Sequence, residues 1–242
     1  LEALLPDSAL RRRIAIPDRI RLRGTAGADK GAFSAASTLS TNGGEIALQG
    51  RLDTRSEAYG IELRCDSFPL NSFLPADSLG LLDLALQAGG SGFDPLRAQT
   101  RGNIRLQVDR AEFRGRDFGG VKLNANLEGG QLSGRLSDRD EALRLLLLIS
   151  GTLTERKQEV RLTGNVFDFD LAELGISPQK IGGSFALEAG ASASDAGSYT
   201  ARIALDSIEV RTRHRTDRIR PTSLSLSSDT TATRAKLASG DL

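Results

Sequence analysis

A hydrolytic or acyl-transfer centre in this chain would have to be built around His214, the only histidine. It lies in Arg211-Thr212-Arg213-His214-Arg215, where neighbouring positive charge disfavours the imidazolium that a general base must form. The alternation around it suggests a solvated strand or loop, so no catalytic role is expected. Cys65, the only cysteine, occupies an apolar strand position and reads as a small core hydrophobe rather than a nucleophile. One cysteine also rules out an internal disulfide and any multi-cysteine metal site. Among carboxylates, Asp138, Asp140 and Glu141 lack the glycine and distal glutamate of an EF-hand loop. Asp168 and Asp170 alternate along a short element and are expected to face water. Paired catalytic carboxylates need a cleft that nothing near them builds. The run Gly24-Thr25-Ala26-Gly27-Ala28-Asp29-Lys30-Gly31 hints at a phosphate loop but breaks the spacing, and no helix follows; a turn is expected. Gly90-Ser91-Gly92 leads to Pro95, again not to a helix. No catalytic residue, metal or cofactor is expected, and the chain is not read as an enzyme.

Two basic stretches remain, Arg11-Arg12-Arg13 and the set Arg211, Arg213, Arg215, Arg218 and Arg220. They could meet lipid phosphates or an acidic partner, but solvated outer faces that keep a sheet soluble are the favoured reading. Lys and Arg number 32 against 31 Asp and Glu, which argues against a general attraction to nucleic acid. The longest apolar run, Leu145 to Ile149, is far too short to span a bilayer as a helix. Apolar residues at 39% and charged residues at 26% suit a folded segment. The apolar set is aliphatic, with no Trp, 2 Tyr and 9 Phe. With Leu1 first and no Met, the segment reads as a piece of a longer protein.

The elements that must position these residues are strands. Ile46-Ala47-Leu48-Gln49-Gly50-Arg51-Leu52 alternates in and out, as do Tyr59 to Cys65, Ile104 to Val108, Val121 to Leu127, Val160 to Leu162, Ala201 to Leu205 and Leu224 to Leu226. Period two gives each strand one apolar and one polar face, the pattern of antiparallel sheets with one wet side. Asn42-Gly43-Gly44, Gly119-Gly120 and Glu128-Gly129-Gly130 supply turns. No long amphipathic helical stretch separates the strands, so βαβ units are not expected.

The pattern also repeats at about 101 residues. Ile46 and Leu48 map onto Leu147 and Ile149, Gly50-Arg51-Leu52 onto Gly151-Thr152-Leu153, and Ile61 onto Leu162. Cys65 maps onto Val166, Phe68 onto Phe169, Leu70 onto Leu171, Leu84 onto Phe185 and Leu86 onto Leu187. The register then slips, so that Ile104 and Leu106 face Ile203 and Leu205. The segments Phe68-Pro69-Leu70-Asn71-Ser72-Phe73-Leu74-Pro75 and Phe169-Asp170-Leu171-Ala172-Glu173-Leu174-Gly175-Ile176 break the alternation in both copies. Each reads as one or two helical turns stopped by Pro75 or Gly175. Leu82 to Ala88 and Ser184 to Ala189 follow as strands. Leu1 to Leu10 reads as a short amphipathic helix running into strands at Ile14-Ala15-Ile16 and Ile20-Arg21-Leu22. The expected divisions are a partial repeat over 1–79, a full repeat over 80–180 and a partial one over 181–242, in one continuous architecture.

A strand ending in Phe68 to Pro75, continuing through Leu79-Gly80-Leu81-Leu82 and the small-residue run Ala88-Gly89-Gly90-Ser91-Gly92, and followed by further alternating strands, resembles the repeat of TamB-like proteins of the AsmA superfamily. The forms of Bacteroidetes-type bacteria are the most similar, and Asp168-Phe169-Asp170-Leu171 is a looser match. The resemblance covers most of the chain, and its motifs specify architecture rather than chemistry. It implies an all-β fold: a long, twisted antiparallel sheet curled into an open hydrophobic groove, a β-taco, with short helical turns between repeats. It also implies an inner-membrane anchor elsewhere in the full protein, a place in the periplasm of the cell envelope, and phospholipid transport toward the outer membrane. Help in outer-membrane or secreted β-barrel assembly is the family's other implied role.

An apolar wall of this kind would take phospholipid or another acyl-chain ligand. The expected lining is Ile46, Leu48, Leu52, Ile61, Leu63, Leu84, Leu86, Ile104, Leu106, Leu123, Leu147, Ile149, Leu153, Leu162, Val166, Phe185, Leu187, Ile203, Leu205, Leu224 and Leu226. The same alternation would equally build the filled core of a plain β-sandwich. The two readings part on whether a second layer covers the apolar face. A scaffold that offers a strand edge or trough to a barrel precursor would share the fold but take a polypeptide.

Overall fold

The computed structural model describes residues 15, 17, 19–75, 78–193, 197–229 and 232–240. The helix expected over 1–10, most of the strand expected over 14–16 and the Arg11-Arg12-Arg13 stretch lie outside them. Alternation and turn chemistry produce β1 (Ile20–Asp29), β2 (Ala32–Thr41), β3 (Glu45–Asp53), β4 (Ala58–Pro69), β5 (Leu79–Ser91), β6 (Arg101–Phe113), β7 (Arg116–Phe118) and β8 (Val121–Glu128). They continue with β9 (Gln131–Arg139), β10 (Leu143–Leu153), β11 (Gln158–Asp170), β12 (Gly182–Ala193), β13 (Tyr199–Arg211), β14 (Thr216–Ile219), β15 (Thr222–Ser228) and β16 (Thr233–Ser239). The strands follow sequence order in one open antiparallel sheet from β1 to β16, with β7 paired to β6 and β14 to β13 off the main path. Nearest-neighbour pairing of consecutive strands is what short turns allow. At Gly129 and Gly130, φ values of 59° and 73° make the tight turn whose twist matches the flanking strands β8 and β9.

Two compact units divide the chain, Leu1–Gly89 with Arg105–Gly120, and Gly90–Ile104 with Val121–Leu242. The strand pattern of β1 to β7 recurs in β8 to β14, and β15 and β16 open a third copy. β1, β8 and β15 begin at Ile20, Val121 and Thr222, two equal steps of 101 residues.

Four sequence expectations need correction. Ile20–Asp29 is one ten-residue strand, so the glycine-rich run from Gly24 is strand, and only Lys30 and Gly31 turn. Alanine and glycine at alternate positions hid the period there. The small-residue run Ala88 to Ser91 is likewise strand, the end of β5. Of the two expected helical turns, Leu70–Ser72 is a single 3-10 turn, but 171–175 is not helical, only a turn closed by Leu174 N–H donating to the Asp170 carbonyl at 2.9 Å. No α-helix occurs among the described residues. Finally, Asp168 and Asp170 do not simply face water. The Asp170 carboxylate accepts from the backbone N–H groups of Ala172 at 2.9 Å and Glu173 at 3.2 Å. Asp168 pairs with Arg211.

Both units carry a polar pin where the apolar strand gives way to this turn. In the first, Ser67 sits at φ 47°, and its N–H and hydroxyl donate to Asp83. One period later the residues are exchanged, Asp168 standing at the place of Ser67 and Ser184 at that of Asp83. There the β11–β12 register shifts between Val166 and Phe169, and Arg211 supplies the donor. A β-bulge of this kind re-aims the chain. Beside it, a Cβ at Gly183 would stand 2.1 Å from the Glu209 carbonyl oxygen and 3.0 Å from the Phe169 ring. Gly183→Ala is therefore expected to lower stability by about 1–3 kcal/mol, read as a shift in the urea midpoint. A cost below about 0.5 kcal/mol would contradict this packing.

Candidate apolar binding face

Cross-strand register decides which side chains share a face, because directly opposed residues point the same way. In the first unit one row runs Leu22, Leu39, Ile46, Cys65. The next rows run Gly24, Ser37, Leu48, Leu63, then Ala26, Ala35, Gly50, Ile61, then Ala28, Phe33, Leu52, Tyr59. Ile46, Leu48, Leu52, Ile61 and Leu63 thus fall on one face. Along β5 and β6, Leu84, Leu86, Ile104 and Leu106 are half-buried, and the last three each lie between exposed neighbours.

The second unit repeats this over more strands. One row runs Leu123, Leu136, Leu147, Gly164, Leu187, Leu205 and Thr222. Another runs Ala125, Gly134, Ile149, Leu162, Ala189, Ile203, Leu224 and Leu237. A third runs Leu127, Leu132, Gly151, Val160, Ala191, Ala201, Leu226 and Ala235. Leu145, Val166 and Phe185 are opposed in a further row. Leu153 shares this face at the end of β10, opposite Gln158. The register therefore brings the expected lining from β8 to β15 to one side.

Many of the large apolar side chains on these faces stay substantially exposed. Among the described residues, the buried hydrophobic ones are Cys65, Phe68, Ala142, Leu147 and Val166, and no large side chain is fully enclosed. Leu48 is 41% exposed, Ile203 48% and Leu237 71%. A filled sandwich does not leave its core in this state.

Sequence reasoning missed part of the face. Phe33 and Leu39 on β2 and Leu132 and Leu136 on β9 are interrupted by Ala35, Ser37 and Gly134, so period two was weak there. The Gly129-Gly130 turn was the available signal, since it forces Leu127 to oppose Leu132. Leu146 and Leu148 lie on the other face, Leu148 being 51% exposed.

The polar groups weighed as chemistry do not converge. His214 is exposed in the 212–215 turn, where Thr212 N–H donates to the Arg215 carbonyl at 2.9 Å. No group of three or more His, Cys, Asp or Glu is placed to hold a metal among the described residues. Arg211 and Arg215 of the basic stretch pair with Asp168 and Asp217. Burial, and secondarily the charge of Asp83, pushes the Cys65 thiol up, which keeps it protonated and unreactive.

One carboxylate stands out. Asp138 is buried and opposes Leu145, on the apolar side. Desolvation raises its pKa, with the Asp140 charge adding, against lowering by N–H donors from Asp140 and Arg139. A carboxyl with a raised folded-state pKa favours folding below the unfolded value, and that contribution is lost as pH rises through the folded value. Asp138→Asn keeps the acceptor for the Asp140 N–H, which lies at 2.9 Å. It is expected to raise Tm at neutral pH and to change it little below about pH 4. Melting curves of both proteins at the two pH values check this; a lower Tm for the variant at neutral pH would contradict it.

No protein-family model matches the chain, and no curated protein or solved structure matches it. The functional reading therefore rests on the residues and their arrangement.

Proposed function

We propose that the chain is a non-enzymatic, periplasmic segment of a TamB/AsmA-like cell-envelope protein. In this reading its apolar sheet faces hold phospholipid acyl chains during transport between the inner and outer membranes. The observation that carries the reading is the uncovered aliphatic face on each unit, since exposed apolar surface of that extent marks a binding site. Each buried methylene contributes about 0.8 kcal/mol, so one acyl chain brings on the order of 10 kcal/mol before binding costs. A Leu/Ile/Val lining supplies this without directional hydrogen bonds, which suits a ligand that slides along it. Mass spectrometry of the protein purified under native conditions is expected to find retained phospholipid or fatty acid. Protein that carries none, and takes up none from vesicles, would overturn the reading.

A second reading has one observation in its favour. The sheet does not close, and β1 and β16 stand at its ends, so a strand of an outer-membrane barrel precursor could pair there by β-augmentation. Crosslinks from β16 to such a strand, with no lipid retained, would favour it.

A further inference from the structure

The opposite, polar face of the second unit carries a feature that lipid-chain binding does not use. A furrow of about 640 Å³ crosses β11, β12, β13, β15 and β16. Two rows of polar-face residues flank it. One is Arg161, Gly190, Arg202, Ser225 and Lys236, opposed strand by strand. The other includes Ser192, Thr200 and Ser227. Neighbouring strands lie about 4.8 Å apart, so Arg161, Arg202 and Lys236, each two strands from the next, are spaced by about 10 Å.

Arg161 meets Glu159 at 3.3 Å, but Arg202 and Lys236 have no ion-pair partner among the described residues. The cations lining the furrow, Arg161, Arg202, Arg234 and Lys236, outnumber its carboxylates, Glu159 and Glu188. Gly190 keeps the floor open between Arg161 and Arg202: a Cβ there would meet only the Val160 carbonyl oxygen, at 3.7 Å. Glycine inside a strand weakens it and marks a place of close approach. The glycine recurs one period earlier as Gly89, beside Gly60 in place of Arg161, while Asn124 opposite Arg135 stands where Ser225 opposes Lys236. Arg161 is thus particular to this copy.

We propose that this furrow is an anion site for a phosphate-bearing group with more than one negative charge, held by Arg202 and Lys236 with the hydroxyls of Ser225 and Ser227 beside them. Guanidinium and ammonium donors give charge-assisted bonds to phosphate oxygens, and the spacing suits two charged groups better than one. The group is either a free phosphate compound or a lipid headgroup at a membrane surface.

Calorimetric titration of the whole chain with inorganic pyrophosphate, and sedimentation with phosphatidylcholine vesicles with and without phosphatidylglycerol, test the site. The double variant Arg202→Gln/Lys236→Gln is expected to weaken binding by about tenfold or more. Gly190→Val, whose Cβ makes no more than an ordinary van der Waals contact with the Val160 carbonyl oxygen, is expected to do the same with all charges retained. Arg213→Gln/Arg218→Gln removes equal charge outside the furrow and is expected to leave binding unchanged. Binding of pyrophosphate assigns a free phosphate compound, and binding of anionic vesicles alone assigns a headgroup. Equal loss in the Arg213/Arg218 control, insensitivity to Gly190→Val, or no binding of either probe overturns the proposal. Retention of acyl chains on the other face is read separately and stands or falls on its own.

Discussion

Leu48→Asp and Ile203→Asp, one in each unit, are expected to fold and to lose acyl-chain binding. Each side chain is nearly half exposed in the free protein. Its replacement forfeits contacts with flanking residues only: Ser37 and Leu63 for Leu48, Ala189 and Leu224 for Ile203. A stability loss of about 1 kcal/mol follows, whereas a charge placed in a filled sandwich core costs about 3 kcal/mol or more. Once an acyl chain covers the position, the carboxylate must be desolvated, and affinity is expected to fall more than tenfold. Urea midpoints and retained lipid per chain measure the two effects together. Loss of folding in both variants would mean that the face is packed within the protein after all.

Phe68→Ala is expected to have the largest effect on stability, about 3–5 kcal/mol. Phe68 is only 2% exposed and stacks on Phe73 with ring centroids 5.1 Å apart and planes at 20°. It anchors the point where β4 leaves the alternating sheet and enters the 3-10 turn, in a unit with few other enclosed side chains. Phe169, one period later, is half-buried and meets Phe185 at 6.0 Å in a tilted arrangement, so Phe169→Ala is expected to cost less. Phe33→Ala serves as reference because Phe33 is 48% exposed. A Phe68→Ala cost no greater than that of Phe33→Ala, read from denaturant unfolding, would contradict this assignment of the core.

How much of this was readable in advance depends on what each residue does to the period. Strands such as Val121–Glu128 alternate cleanly because every second side chain is Val, Leu or Ala, and their side of the face followed directly. β1 and β2 escaped because Gly24, Ala26, Ala35 and Ser37 are too small to mark a face, although their register places them on it. The left-handed turn at Ser67 and the bulge at Asp168 were invisible because they depend on distant partners, Asp83 and Arg211. The polar furrow could not be seen at all, since Arg161, Arg202 and Lys236 become neighbours only through the pairing of β11 to β16. Burial of Asp138 was hidden for the same reason: in sequence it is one acid among several, and only the opposed Leu145 reveals its setting.

Site-specific photocrosslinking tests the central claim most directly. A photoreactive residue at Leu48 or at Ile149 is expected to capture phospholipid acyl chains, while the same residue at Arg64 or Ser150, on the opposite faces of β4 and β10, captures none. Equal labelling from both faces, or labelling from neither, would contradict an acyl-binding apolar wall.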